Sequence, residues 1–365
     1  MNQFNPPLDL VFLVADLHYG GGGERVTINL ANYFEKKGYI VEIISIAQAK
    51  PTNIFSVNDG IKIKYLNIDF NVGSNLIKKI ISVLTVKTHF RKYKTKTIVL
   101  GIGNYPSLLL SFLPKEKNIT TIGCQHLAYS GVKNIWALLR KILFRRLDYI
   151  VSLTNSDLPK FKKINKNSIV IPNSIVPVSD KKALLTNKRI LFIGRMVPDK
   201  GYDILLKIIK KVIEIHSDWE FRIIGDGPLK NHILKEIGLS GLMGKISLLS
   251  TTKFIAEEYL NASIYLMTSR KEGLPMVLLE AQTCGLPIVS FNCDTGPSEI
   301  VSDNETGFLI DCFDIEKMVQ KICLLCSDFE LRSRLGKNAT HHVKKFIPEV
   351  INSKWEELFQ QIINK

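Results

Sequence analysis

Glu272 and Glu280 stand eight positions apart, the first in the loop Ser269-Arg270-Lys271-Glu272-Gly273-Leu274-Pro275-Met276 and the second on the helix expected to follow it over 277–284. With Glu280 two turns into that helix, both carboxylates can turn toward the carboxyl-end crevice of a parallel sheet, with the amides of Gly273, Leu274, Pro275 and Met276 between them. Carboxylates in such a place accept hydrogen bonds from sugar or ribose hydroxyls, which is recognition rather than acid catalysis. The competing reading is a pair of solvated glutamates favoured by the helix macrodipole.

Two further segments have the residue types for binding an anion. Gly194-Arg195-Met196-Val197-Pro198-Asp199-Lys200-Gly201 follows an apolar strand and precedes a helix expected over 204–213. Arg195 can fork onto phosphate oxygens and Lys200 can add a point charge; otherwise the segment is a solvated loop. Gly20-Gly21-Gly22-Gly23-Glu24-Arg25 lies after the strand at 10–15 and opens a helix carrying Val26, Ile28, Leu30, Ala31 and Phe34. Its glycines would let amides approach a phosphate at a positively polarised helix start, or they form a plain flexible connection. The spacing does not match a dinucleotide fingerprint, which needs Gly-x-Gly-x-x-Gly and a later acidic residue.

The elements that must hold these loops read as alternating strands and helices. Short apolar runs at 10–15, 41–46, 98–100, 150–153, 190–193, 221–224, 264–267 and 288–290 are separated mostly by helix-period segments. Strands apolar on both faces belong to parallel sheets covered by helices on each side, so the fold class is α/β, doubly wound. Ile171-Pro172-Asn173-Ser174 and the polar stretch to Lys188 mark an interdomain linker. The expected organisation is an N-terminal domain over 1–172, a second over 173–347 and a terminal amphipathic helix over 348–365 with Trp355 and Phe359. Docking of that helix on the N-terminal domain is one option that composition leaves open.

A chain of 365 residues, 45% apolar, can bury two cores. Its six cysteines lie in apolar or loop contexts without disulfide-framework spacing, and Cys323-x-x-Cys326 sits in a helical apolar run, so a reducing compartment is expected. The first nine residues lack a basic start, and no run of about 18 apolar residues occurs that could span a bilayer. A cytoplasmic location follows as the expectation. The net charge of +15 is unevenly shared: residues 1–172 have 24 Lys and Arg against 10 Asp and Glu, while the remainder has 25 against 24. Such asymmetry suggests an anionic partner for the first domain, nucleic acid or an anionic lipid surface.

The motifs together resemble family 4 of the retaining glycosyltransferases, of the bacterial surface-polysaccharide type. Gly21-Gly-Gly-Glu-Arg25, the segment Gly194–Gly201, Gly225-Asp-Gly-Pro228, Glu272 with seven residues before Glu280, Gly296-Pro-Ser-Glu-Ile300 and Asn304-Glu-Thr-Gly307 occur in that order over residues 20–310. The resemblance implies the GT-B architecture, two Rossmann-like domains facing across a cleft, with a nucleotide-sugar donor and a glycan acceptor. It implies that Glu280 binds the ribose, Arg195 and Lys200 the diphosphate, and Glu272 with the Gly273–Met276 backbone the donor sugar. Gly22 and Gly23 would approach the diphosphate from the other domain. His126, after the strand-like 120–123, matches the position of an active-site histidine contacting the donor sugar, or it is structural.

The resemblance also implies transfer with retention of a hexose or N-acetylhexosamine, commonly from a UDP-sugar. No Asp-x-Asp occurs in the chain, and a cationic loop can counter diphosphate charge, so neither metal nor cofactor is expected. Two basic amphipathic segments of the first domain, 76–92 and 135–147, could meet the anionic inner leaflet of a membrane and a lipid-linked acceptor, or be ordinary domain helices. Aromatic residues are sparse in these segments, which argues against nucleic acid. A nucleotide-sugar epimerase on the same scaffold, an anionic-polymer-binding protein without catalysis and a glycoside hydrolase are the competing functions. The hydrolase would leave the cationic loop unexplained.

Overall fold

The computed structural model describes residues 8–18, 22–48, 55–68 and 75–364, except for the side chains of 75–79. Gly20 and Gly21 of the glycine run, the side chains of Ile77, Lys78 and Lys79, and residues 1–7 lie outside them. The chain divides into two compact units, one formed by residues up to Asn173 together with Ile351–Lys365, the other by Ser174–Val350.

The first unit holds a seven-stranded sheet in the order β3-β2-β1-β4-β5-β6-β7, every neighbouring pair parallel. Its strands are β1 (Asp9–Val14), β2 (Ile40–Ser45), β3 (Lys62–Tyr65), β4 (Thr97–Ile102), β5 (Ile119–Gln125), β6 (Tyr149–Ser152) and β7 (Ser168–Val170). Helices α1 (Gly22–Lys36), α2 (Asn75–Phe90), α3 (Asn104–Leu110), α4 (Asn134–Leu143) and α5 (Leu158–Lys162) lie between them. Parallel strands need crossover connections, and helices that cover both faces explain why β1 is buried along almost its whole length.

The second unit holds a six-stranded parallel sheet, order β10-β9-β8-β11-β12-β13. These strands are β8 (Arg189–Ile193), β9 (Glu220–Ile224), β10 (Ile246–Leu249), β11 (Ile264–Met267), β12 (Ile288–Phe291) and β13 (Gly307–Ile310). Its helices are α6 (Tyr202–Ile215), α7 (Lys230–Leu239), α8 (Ile255–Leu260), α9 (Met276–Thr283), α10 (Pro297–Ile300), α11 (Ile315–Ser327) and α12 (Phe329–His342). Helix α6 buries Ile204, Leu205, Ile208, Ile209 and Val212, a stripe at helical spacing, in a core with Phe192, Phe221 and Leu266. The α/β, doubly wound expectation holds for both units.

Helix α13 (Pro348–Ile363) begins in the second unit, and its residues from Ile351 on belong to the first. There Phe359 packs on Phe34 of α1 with ring centroids 4.9 Å apart, and the Tyr33 hydroxyl donates to Glu356 Oε1 at 2.8 Å. All six cysteines are free; Cys323 and Cys326 lie on α11, where burial raises both thiol pKa values. Among the described residues no helix is long and apolar enough to cross a membrane, and no group of three or more His, Cys, Asp or Glu is placed to hold a metal ion.

Two details of the basic segments differ from the sequence reading. The span 135–147 is α4 followed by a 3-10 turn, Phe144–Arg146, and Arg140 points inward rather than joining a basic outer face. Its guanidinium lies 3.9 Å from the Tyr129 ring centroid and donates from Nη2 to the Tyr129 carbonyl at 2.8 Å. Trp136, Leu139 and Leu143 face the core, so the outward stripe of α4 consists of Ile135, Leu138 and Ile142. In the same way α2 buries Val86 and Phe90 and turns Ile80, Ile81 and Leu84 outward.

Candidate functional site

In the second unit the chain leaves β8 toward β9 on one side, while β11 pairs on the other, so the sheet order reverses between β8 and β11. Open parallel sheets bind ligands at the carboxyl ends of such a pair. The loop after β8 carries Arg195 and Lys200, and the loop after β11 carries Glu272. The two loops are laced together. Arg270 N donates to the Asp199 carbonyl at 2.7 Å, its Nη1 donates to the Pro198 carbonyl at 2.9 Å, and its guanidinium forks onto Asp203 at 2.8 and 2.7 Å. Thr268 Oγ1 donates to the Lys200 carbonyl at 3.0 Å.

Across this lacing Lys200 Nζ meets Glu272 Oε1 at 2.5 Å, with the lysine side chain 22% and the glutamate side chain 10% exposed. Two cations on one short loop repel each other unless an anion lies close by. The anion beside Lys200 in this structure is the chain's own Glu272. Arg195 is exposed on the same loop, where the buried neighbour Met196 anchors the backbone.

Three glycines permit these loops to close on one another. A Cβ on Gly201, whose φ is +70°, would come within 2.2 Å of the Thr268 carbonyl oxygen, and one on Gly225 within 1.9 Å of the Gly194 oxygen. A Cβ on Gly296, φ +98°, would meet the Gly273 oxygen at 2.5 Å and Pro275 Cδ at 2.6 Å. The Thr295 hydroxyl donates to the Glu272 carbonyl at 2.5 Å, so the turn after β12 braces the Glu272–Pro275 loop from behind.

Helix α9 starts at Met276 with no side chain capping its first amides. Those amides and the positive end of the dipole are available to an electronegative group, and the Gly273–Met276 segment leads directly into them. Glu280 is not a solvated helix-start glutamate: it is buried, 7% exposed, and its Oε2 accepts from the Tyr259 hydroxyl at 2.8 Å. Tyr259 stacks on Tyr265 at 5.9 Å, and both phenols are buried. Burial first, then the negative charge of Glu280, holds both phenol pKa values well above the ordinary range, and Glu272 adds to the effect at Tyr265. The two carboxylates therefore flank one tyrosine, yet each has its own protein partner rather than acting as a matched pair.

In the first unit the structure brings Gly23 and His126 together: a Cβ on Gly23 would lie 4.0 Å from the imidazole Cγ. Gly22 and Gly23 form the first turn of α1, after β1, and His126 follows β5. Burial pushes the His126 pKa down to about 4, and its enclosed Nδ1 lacks a hydrogen-bond partner among the described residues. The ring is thus neutral near pH 7. His18, at the end of the β1 loop, was not singled out from sequence. It is buried, stacked on Tyr65 at 5.5 Å, with Nδ1 3.7 Å from Asp16 Oδ1.

Sequence reasoning also missed Tyr259, Tyr265, Arg270, Thr268 and Thr295. Arg270 stood inside a quoted motif without a role; the others carry no local signal, since their partners lie on other strands and loops.

The chain is similar to known glycosyltransferases in sequence and in fold. Residues 178–342, the second unit's sheet and its loops, match the family described as glycosyl transferases group 1. The chain is 30% identical over 351 residues to an uncharacterized glycosyltransferase of Haemophilus influenzae, covering 94% of this chain and 98% of that one. It is 26% identical over 358 residues to the amylovoran biosynthesis glycosyltransferase AmsD of Erwinia amylovora, with 96% and 99% covered. It is 24% identical over 376 residues, with 98% and 99% covered, to a Campylobacter jejuni alpha-1,4-N-acetyl-D-galactosaminyltransferase whose name gives a glycan on PP-undecaprenol. Among solved structures, a mutant of TarM from S. aureus, crystallised with fondaparinux, alpha-GlcNAc-glycerol and UDP, shares the fold. The TM-score is 0.82 at 17% identity, covering 96% of this chain and 99% of that one.

Proposed function

Because the chain belongs to the group 1 glycosyl transferases, we propose that it moves a hexose or N-acetylhexosamine, with retention, from a UDP-sugar to a lipid-linked glycan in bacterial surface polysaccharide synthesis. The observation that carries the reading is the reversal point between β8 and β11, where the Lys200–Glu272 pair, the uncapped start of α9 and the buried Glu280 are gathered. UDP is favoured because it accompanies the TarM mutant that shares the fold. A lipid-linked glycan is favoured by the name of the Campylobacter relative, and the polysaccharide role by that of AmsD.

In this reading Glu280, held by Tyr259, accepts from the ribose hydroxyls. Arg195 and Lys200 take the diphosphate, and Glu272 with the Gly273–Met276 amides takes the donor sugar. To Gly22, Gly23 and His126 of the first unit we assign contacts with the diphosphate and the sugar. Retention requires the acceptor hydroxyl to form its bond to the anomeric carbon on the face from which the diphosphate leaves. The hydroxyl proton passes to the departing phosphate, so no separate general base is needed. Charge grows on that phosphate as the glycosidic bond breaks, and cations already fixed in place lower the barrier because they need no reorganisation. The outward apolar stripes of α2 and α4, with Lys141, Arg145 and Arg146 exposed beside the second, suit the surface of an anionic bilayer.

The test is a screen of nucleotide sugars for nucleotide release with and without polyprenyl-linked glycans. Acceptor-dependent release of UDP is expected, undiminished by exhaustive chelation. Conversion of the nucleotide sugar without any acceptor would make the protein an epimerase, and release of free sugar from glycosides alone a hydrolase. Loss of turnover on chelation with recovery in Mg²⁺ or Mn²⁺ would overturn the metal-independent part.

A further inference from the structure

The first unit has a reversal point of its own, between β1 and β4, and a cavity of about 600 Å³ opens there. Its wall is built from the end of β1 at Ala15, the residues leaving β4 from Ile102 to Pro106, and the segment entering α4 from Leu127 to Trp136. Its size is that of a small-molecule pocket, roughly 300–1,000 Å³. Most of the lining surface is apolar. Tyr105 and Trp136, edge to face at 6.2 Å, stand with Ile102, Leu127 and Val132, while Lys133 supplies a cation and Asn104 an amide whose buried Oδ1 has no partner among the described residues. A sugar ring presents hydroxyls on most of its edge and needs donors and acceptors around it, whereas this wall is mainly hydrocarbon and aromatic.

The apolar surface continues out of the cavity. Leu127 is 61% exposed, and Ile135, Leu138 and Ile142, on one stripe of α4, are each more than half exposed. Exposed apolar residues aligned in this way mark a surface that meets something apolar. Cations follow the same path, from Lys133 in the wall to Lys141, Arg145 and Arg146, all exposed. An apolar slot with a cation in its wall and a basic, apolar helix beyond it fits a hydrocarbon chain that ends in phosphate.

We infer that this cavity receives the phosphate-proximal part of the isoprenoid chain of a polyprenyl diphosphate-linked acceptor, with Lys133 on the phosphate. This rests on the lipid-linked acceptor proposed above. His126 is the residue next to Leu127 in the wall, so a chain gripped here holds its phosphate end close to the segment that carries the histidine.

The experiment uses the full chain and farnesyl diphosphate below its micelle concentration, with inorganic pyrophosphate, farnesol and dodecyl phosphate as comparisons, each titrated calorimetrically. Farnesyl diphosphate is expected to bind saturably and at least tenfold more tightly than pyrophosphate or farnesol. Gly131→Phe should fill the cavity and weaken that binding at least tenfold; its new Cβ has room, the nearest atom being Leu127 Cβ at 3.8 Å. Lys133→Ala should bring farnesyl diphosphate down toward farnesol. The circular dichroism spectrum and thermal unfolding of each variant report whether it has folded.

Farnesyl diphosphate binding no tighter than pyrophosphate, or unchanged in a folded Gly131→Phe, overturns the inference. Equal binding of dodecyl phosphate that is insensitive to Gly131→Phe also overturns it, since that is adsorption to the α4 surface. If farnesyl diphosphate binds as described but no polyprenyl-linked glycan supports UDP release, the cavity stands and the proposed reaction fails.

Discussion

Removing the carboxylate of Glu272 should strengthen the binding of UDP while weakening recognition of the sugar attached to it. Lys200 pairs with Glu272 at 2.5 Å, so an incoming diphosphate must compete with that carboxylate for the ammonium. Fully exposed ion pairs are worth about 0.2–1 kcal/mol, and truncating one partner of a fully buried pair costs about 3–5 kcal/mol. With side chains 22% and 10% exposed the pair lies between these limits, so a coupling of about 1–2 kcal/mol is expected. The assay is a double-mutant cycle of Glu272→Gln, Lys200→Met and the double variant, with UDP affinity measured calorimetrically and stability by thermal unfolding. Glu272→Gln should bind UDP about five- to thirtyfold more tightly, because every 1.4 kcal/mol is tenfold, yet lose the extra affinity that the sugar gives a UDP-sugar. Lys200→Met should weaken both ligands, and in its background the glutamine change should no longer improve UDP binding. The reasoning is refuted if Glu272→Gln weakens UDP as much as Lys200→Met does, or if the coupling falls below about 0.3 kcal/mol, the ordinary scatter of independent sites.

Further outcomes follow from the same geometry. Glu280→Ala and Tyr259→Phe should raise the donor KM with little change in kcat, the tyrosine change by roughly the 1.5–3 kcal/mol of a hydrogen bond to a charged group, whereas Arg195→Ala should lower kcat as well. Equal effects on both parameters from all three would contradict this division of roles. Gly296→Ala places a Cβ 2.5 Å from the Gly273 oxygen and should displace the donor loop, cutting kcat/KM by about a hundredfold, the cost of misplacement near 1 Å. Steady-state rates set beside the circular dichroism spectrum will tell a shifted loop from a lost fold. His126, with its folded pKa depressed to about 4 from an ordinary 6.5, contributes stability that is complete above pH 6.5 and is lost as pH falls through about 4. Thermal midpoints of the wild type should therefore fall more than those of His126→Phe between pH 6.5 and 4; parallel curves would show that the ring is not buried in its neutral form.

The inner strands were legible in the sequence and the outer ones were not. Every strand read from an apolar run exists, within one or two residues at its ends. The four strands that escaped, β3, β7, β10 and β13, are the four sheet edges. An edge strand is covered on fewer sides, so β3 tolerates the alternating charge of Lys62-Ile-Lys-Tyr65 and β10 the partial exposure of Ile246–Leu249, while β13, Gly307–Ile310, is buried and escaped by its shortness. The same limit applied to α2 and α4. Periodicity identified amphipathic helices, but which apolar residues face the core depends on what lies beneath them, and here a second apolar stripe faces outward.

Residue type and order along the chain were sufficient to indicate parallel α/β units and to single out the loops after β8 and β11 with Glu272, Glu280, Arg195 and Lys200. These are local properties, carried by short runs and fixed spacings. Pairing was decided only by the tertiary structure. Lys200 reaches Glu272 across 72 residues of chain, and Tyr259 supports Glu280 from a different helix, 21 residues earlier. The turn at Gly296 braces a loop that belongs to another strand. Each of these contacts exists because β8, β11 and β12 are neighbours in the sheet, an order set by crossovers that no window of sequence contains.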